Sequence, residues 1–200
     1  MAATNSADGF GWVSQGLHWL MAAAILAMLA LGTVLVRMQP SLSTLWLFAL
    51  HKSVGLTLLA LVVIRLAWHR ISPPPAPLPG RALRGLTPRA QLRLARGVHA
   101  TLYALMLAVP LTGWIASAAT GIDVVAWGVT LPAIAPVSAG WEAAFFAAHG
   151  VLTKLLAALV LLHLAAALWH AAVWRDGTLR RMLGRGSLPH PPLAEDPPLR

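Results

Sequence analysis

The stretch that decides the fold is Phe145–Trp174, FFAAHGVLTKLLAALVLLHLAAALWHAAVW. It contains no Asp, Glu or Arg. Its titratable residues are Lys154 and three histidines, His149, His163 and His170. A run of about 20 apolar residues crosses a bilayer as a helix, and this one is long enough to cross and continue into the interface. His149 and His163 lie fourteen residues apart. At about 100° per residue that falls about 40° short of four turns, so both rings share one stripe, about 21 Å apart along the axis. One ring therefore sits toward each face of a hydrocarbon core about 30 Å thick.

Working outward, three more stretches meet the same requirement: Leu17–Val36, interrupted by His18; Leu45–Trp68, carrying His51, Lys52 and Arg65; and Val98–Ala119, where Pro110 and Gly113 suggest a kink. The composition agrees. Of 200 residues, 58% are hydrophobic and 10% charged, against about 25% charged in a soluble domain. A chain this short could not bury so much apolar surface in water. The expected fold is all-α: an integral membrane four-helix bundle over residues 1–186, with helices at about 17–36, 45–68, 98–119 and 145–174. A Pro-rich, disordered tail is expected over 187–200. The first stretch exceeds a cleavable signal core and follows no basic segment, so it reads as a true span. With no cysteine, disulfides, thiolate-held iron–sulfur clusters, zinc knuckles and c-type haem attachment are excluded.

All but Lys52 and Lys154 of the 15 basic residues are arginine. They lie between apolar segments, so bilayer orientation explains them better than nucleic acid, and no nucleic-acid partner is expected. Arg70, Arg81, Arg84, Arg89, Arg93 and Arg96 separate the second and third stretches. Arg175, Arg180, Arg181 and Arg185 follow the fourth. The positive-inside rule places both termini in the cytoplasm. Ser72–Gly80, with five prolines, reads as an extended spacer. Pro88–Gly97, with arginines at helical spacing, reads as an interfacial lead-in or as a docking surface for a cytoplasmic partner. The outer connection Thr120–Ala144 is long enough to be a functional lid, with Trp127 and Trp141 as interface anchors.

Depth then pairs the histidines. His18 opens the first helix on the inner side and His51 lies early in the second, on the outer side. His18 thus matches His163 and His51 matches His149. Two imidazoles from facing helices hold a six-coordinate haem iron in helical bundles, and two such pairs imply two haem b. The ordinary alternative for any one histidine is a hydrogen-bonded residue in a helix interface. A single zinc site is excluded, because the pairs are about 21 Å apart and zinc wants one tetrahedron. Gly32 and Gly55 could leave room for a porphyrin or for close helix packing. Arg65 shares the stripe of His51 at the inner level, where a haem propionate would partner it; otherwise it snorkels. His170 could serve a propionate, quinone protonation or the interface. His99, opening the third helix, reads as a residue that supports a ligand, as an interfacial one, or as a proton or quinone residue. His69 and His190 receive no role. Lys52 and Lys154, near the outer pair, either snorkel or form a positive entrance for a small anion.

With these residues in view, the sequence resembles the bacterial cytochrome b561 family of four-helix di-haem b membrane proteins. The resemblance rests on Gly16-Leu17-His18-Trp19-Leu20, His51-Lys52-Ser53-Val54-Gly55, Arg65-Leu66-Ala67-Trp68, Pro110-Leu111-Thr112-Gly113-Trp114, His149 with His163, and Arg175-Asp176-Gly177-Thr178-Leu179-Arg180-Arg181-Met182. Their order covers roughly residues 10–185. The resemblance implies haem ligation by His18, His51, His149 and His163. It also implies an oxidoreductase between a diffusible donor, superoxide in the best-understood case, and ubiquinone. Gly150 stands where members often carry an acidic residue, and Trp169 where they often carry the first of two histidines. A haem b anchor subunit for a partner dehydrogenase or hydrogenase is the alternative, and a small transporter is a third class.

The orientation has a direct check. Reporter fusions at Arg200 and within 120–144 should report opposite compartments, the C-terminal one cytoplasmic. A periplasmic signal from the Arg200 fusion would reverse the topology.

Overall fold

The computed structural model describes residues 2–78 and 85–184. Arg81, Arg84, Arg185, His190, the end of the proline-rich spacer and the tail lie outside the described residues. The chain forms α1 (Trp12–Leu35), α2 (Leu45–Ile71), α3 (Pro88–Ala119), a hairpin of β1 (Val124–Ala126) and β2 (Val129–Leu131), α4 (Ala139–Trp169) and a short α5 (Thr178–Met182). The last turn of α4 continues as one π-turn, His170–Trp174. All four long helices are apolar and long enough to cross a membrane.

α2 starts at Leu45 as expected, whereas α1, α3 and α4 start earlier than their apolar runs, the last two for local reasons. Pro88 occupies the first turn of α3, and the Thr87 hydroxyl caps it by accepting from the Ala90 amide, 3.2 Å. The basic segment that follows is made of good helix formers, so α3 gains its first turns before the membrane is reached. Ser138 caps α4 from the Trp141 amide, with Glu142 in the first turn facing the helix dipole. α3 runs unbroken through Pro110.

Consecutive helices pack side by side, and α3 against α4 is the most extensive contact. Its centre is Leu102, Leu105 and Leu156, flanked by Val98, Met106, Val109, Leu152, Leu159 and Val160. By contrast, the backbones of α1 and α2 hardly approach α4. Large apolar side chains such as Leu26, Ile64 and Leu162 face outward, as a lipid solvent requires.

The connection over 120–138 is not structureless. Val124 pairs with Leu131, Val125 with Thr130 and Ala126 with Val129. Trp127 and Gly128 form the two-residue turn, with φ of 50° and 82°, the sign a primed hairpin turn needs. Tryptophan is strained in that conformation. Two bonds to α2 offset the cost: the Trp127 amide donates to Ser53 Oγ and its indole N–H to Thr57 Oγ1, both 3.0 Å.

At the other end, Arg181 ties α5 to the N-terminal segment and the proline-rich spacer. It is 5% exposed. It donates to the carbonyls of Asp8 (3.2 Å), Ala76 (2.9 Å) and Ala7 (2.8 Å). Asn5 adds bonds to the hydroxyl and carbonyl of Ser72, and the Trp19 indole donates to the carbonyl of Met182. Arg181→Met would leave three carbonyls without their donor, a loss of about 1–3 kcal/mol. The exposed Arg180→Ala should cost less than about 0.5 kcal/mol. Thermal unfolding in detergent compares the two, and equal effects would contradict the buried role of Arg181.

Candidate functional site

The cleft that α4 leaves against α1 and α2 is bridged by histidines at two levels. His18 of α1 faces His163 of α4 with ring centres 6.3 Å apart. His51 of α2 faces His149 of α4 at 6.2 Å. The depth-matched pairs of the sequence therefore meet in space, each joining helices whose backbones do not pack. The His18–His163 pair lies toward the arginine-rich end and the His51–His149 pair toward the hairpin end.

Hydrogen bonds fix part of the ring chemistry. His149 Nδ1–H donates to the Val109 carbonyl, 2.8 Å, which leaves Nε2 with its lone pair free for a metal. Gly113 makes that position possible, since a β-carbon there would sit 3.1 Å from the His149 ring. Gly32 faces His51 at 3.6 Å from its would-be β-carbon, whereas Gly55 meets Met28 and serves helix packing. His51 Nδ1 is buried with no partner. At the other level Arg65 Nη1 donates to His18 Nδ1, 3.2 Å. Arg65 Nε is buried without a partner, and its guanidinium lies 5.9 Å from the Tyr103 ring centre. His99 donates from Nδ1 to the Ala95 carbonyl, 2.7 Å, with its ring 5.2 Å from that of His163. His69 bonds the Tyr103 hydroxyl.

The remaining sequence candidates lie elsewhere. Lys52 is half-buried, directly after His51, while Lys154 is exposed, about 140° round α4 from His149. His170 sits in the π-turn and bonds Asp176 through Nδ1 and Oδ2, 2.5 Å. The other Asp176 oxygen accepts from the Thr178 amide, 2.9 Å, starting α5. The sequence reading missed Val109, whose carbonyl carries no side-chain signal. It named Gly113 only for a kink and within a motif, and Asp176 only within a motif.

The sequence profile of prokaryotic cytochrome b561 matches residues 9–185. The chain belongs to that family. It is 37% identical over 193 residues to cytochrome b561 homolog 2 of Escherichia coli (strain K12), covering 94% of this chain and 97% of the relative. It is 28% identical over 171 residues to the probable superoxide oxidase CybB of Yersinia pestis, covering 84% and 92%. A member of the family is a haem b-binding membrane protein of electron transfer.

The residues fit that cofactor. Two imidazoles on one metal, with bonds of about 2 Å and about 1 Å from nitrogen to ring centre, stand about 6 Å apart. Both pairs have that spacing. Among the described residues no three or more His, Asp or Glu side chains converge to hold a metal by themselves. Were His18 to bind a metal through Nε2, its ring proton would sit on Nδ1 and Arg65 would lose its acceptor there.

Asp176 yields a pH prediction. Burial alone would raise its pKa, but the bonds from Thr178 and His170 hold it below the ordinary 3.8. A depressed carboxyl contributes stability that is present above its unfolded pKa and lost as pH falls through the folded one. Asp176→Asn should thus be about 1 kcal/mol less stable than the wild type above pH of about 5. The gap should begin to narrow below about 4 and vanish as pH falls through the depressed folded value, as read by thermal unfolding across pH. A gap independent of pH would contradict the assignment.

Proposed function

We infer that the chain is a di-haem b cytochrome that carries electrons between a small one-electron donor, superoxide, and the ubiquinone pool. It would act as a superoxide:ubiquinone oxidoreductase in the bacterial inner membrane, with both termini cytoplasmic. Residues 1–186 are taken as one functional unit, with 187–200 appended. The observation that carries this reading is the pair of facing imidazoles at each of two levels, 6.2 and 6.3 Å between ring centres, in a chain of this family. A relative named as a probable superoxide oxidase supports the choice of donor.

His51 with His149, and His18 with His163, would hold the two haems. Bound there, each haem supplies a one-electron iron centre. The chain's own residues do the rest. Val109 fixes the His149 tautomer, Gly113 clears space for its ring, and Arg65 holds a half-buried positive charge beside His18. Two superoxide ions give up one electron each and become two O₂; one ubiquinone takes both electrons and two protons. His170, hydrogen-bonded to Asp176 near the arginine-rich end, would pass a proton toward the quinone. Lys52 is the better candidate for an anion entrance, since it is half-buried beside His51, with Lys154 exposed further along α4. The second reading, an anchor subunit for a partner dehydrogenase, draws on the exposed Arg89, Arg93 and Arg96 that begin α3.

The test is superoxide-dependent quinone reduction by the purified, haem-loaded protein at several ionic strengths. Lys52→Gln should lower the rate by up to about tenfold at low salt and flatten its salt dependence; Lys154→Gln should have a smaller effect. No superoxide-dependent reduction, together with a dehydrogenase that co-purifies in fixed ratio, would favour the anchor reading.

A further inference from the structure

The two histidine pairs sit in unlike surroundings. At the arginine-rich end the Arg65 guanidinium lies against His18, with its Nε buried and unpartnered. No carboxylate neutralises it: among the described residues the one ion pair is His170–Asp176. The guanidinium also lies 5.9 Å from the centre of the Tyr103 ring. The hairpin end offers the opposite. His149 donates its Nδ1–H to a backbone carbonyl. The nearest cation in sequence, Lys52, is half-buried, as Arg65 is as a whole residue; what sets the arginine-rich end apart is that the Arg65 guanidinium bonds a ring of the pair directly.

We propose that Arg65 makes the His18–His163 site the more oxidising of the two, so that an electron shared between the sites rests at the arginine-rich end. Reduction lowers the charge at an iron site by one unit. A cation close by favours that change, and more strongly in the interior than at the surface. Donation from a ligand N–H to a carbonyl works the other way, because it makes the imidazole a stronger base and favours oxidised iron. The cation at one end and the carbonyl at the other thus set one gradient. Whatever carboxylate the bound group brings to Arg65, removing the guanidinium makes the local charge one unit more negative. In the exchange itself the His51–His149 site loses one electron and the His18–His163 site gains it. No bond forms or breaks and no proton moves. This inference rests on the two-site reading above. It adds to it the residue that sets the direction.

A redox titration of the haem-loaded protein in nanodiscs, followed by absorbance, tests it. His149→Ala and His163→Ala each leave one component and so assign the two waves. The component left in His149→Ala should be the one that reduces first in the wild type. In Arg65→Gln, the ratio of reduced His18–His163 site to reduced His51–His149 site at a fixed potential should fall by about tenfold, the order expected for one interior charge. Arg65→Lys should keep most of that ratio, which a purely packing role for the guanidinium would not allow. An unchanged ratio in Arg65→Gln, or first reduction of the component left in His163→Ala, would overturn the proposal. Haem content and spin state of the wild type are read separately. Fewer than two low-spin haems would sink the two-site reading and this proposal with it, whereas two haems reducing in the opposite order would sink only the gradient.

Discussion

Everything in this molecule depends on how polar rings are carried through a medium that solvates nothing. An imidazole in hydrocarbon needs a partner, and the rise of the helix decides where one can be found. On α4 the fourteen-residue interval between His149 and His163 matches the bilayer closely enough to place one ring near each face. α1 and α2 then supply one ring each, at opposite ends. The result is a bundle in which α3 and α4 pack conventionally, while α4 meets α1 and α2 through side chains at two levels. A lipid-facing exterior follows from the same solvent, which is why Leu26, Ile64 and Leu162 point outward without cost.

The two ends of the bundle are held by different devices. At the hairpin end a strained tryptophan turn is fastened to α2 through two hydroxyls, Ser53 and Thr57, that also bond their own helix. At the arginine-rich end a buried guanidinium gathers carbonyls from the N-terminal segment and the proline-rich spacer. Both devices satisfy backbone groups that would otherwise lie unpaired at the edge of the membrane. They also leave the cleft between the helices to the histidines.

What the sequence made legible was periodic. Apolar length found the four spans, and spacing found both histidine pairs, because depth on a straight helix is simple arithmetic. What it hid was not periodic. The hairpin was missed because Trp127-Gly128 lacks the Asn or Asp that usually marks a primed turn, although Val124, Val125, Val129 and Thr130 are strand formers. Arg181 looked like one more positive charge at the inner face, since nothing local shows that it folds inward onto carbonyls. The Val109 carbonyl could not be read at all, and the partnership of His170 with Asp176 depends on a π-turn and a left-handed Arg175. Helix starts were misplaced by several residues because caps at Thr87 and Ser138 extend α3 and α4 beyond their apolar runs.

The central claim is that each facing pair of imidazoles holds one iron. Anomalous diffraction at the iron edge from crystals of the haem-loaded protein tests it most directly. The account predicts two iron peaks per chain, one between His18 and His163 and one between His51 and His149, about 21 Å apart along the axis of α4. A single peak, or iron bound away from either pair, would contradict it.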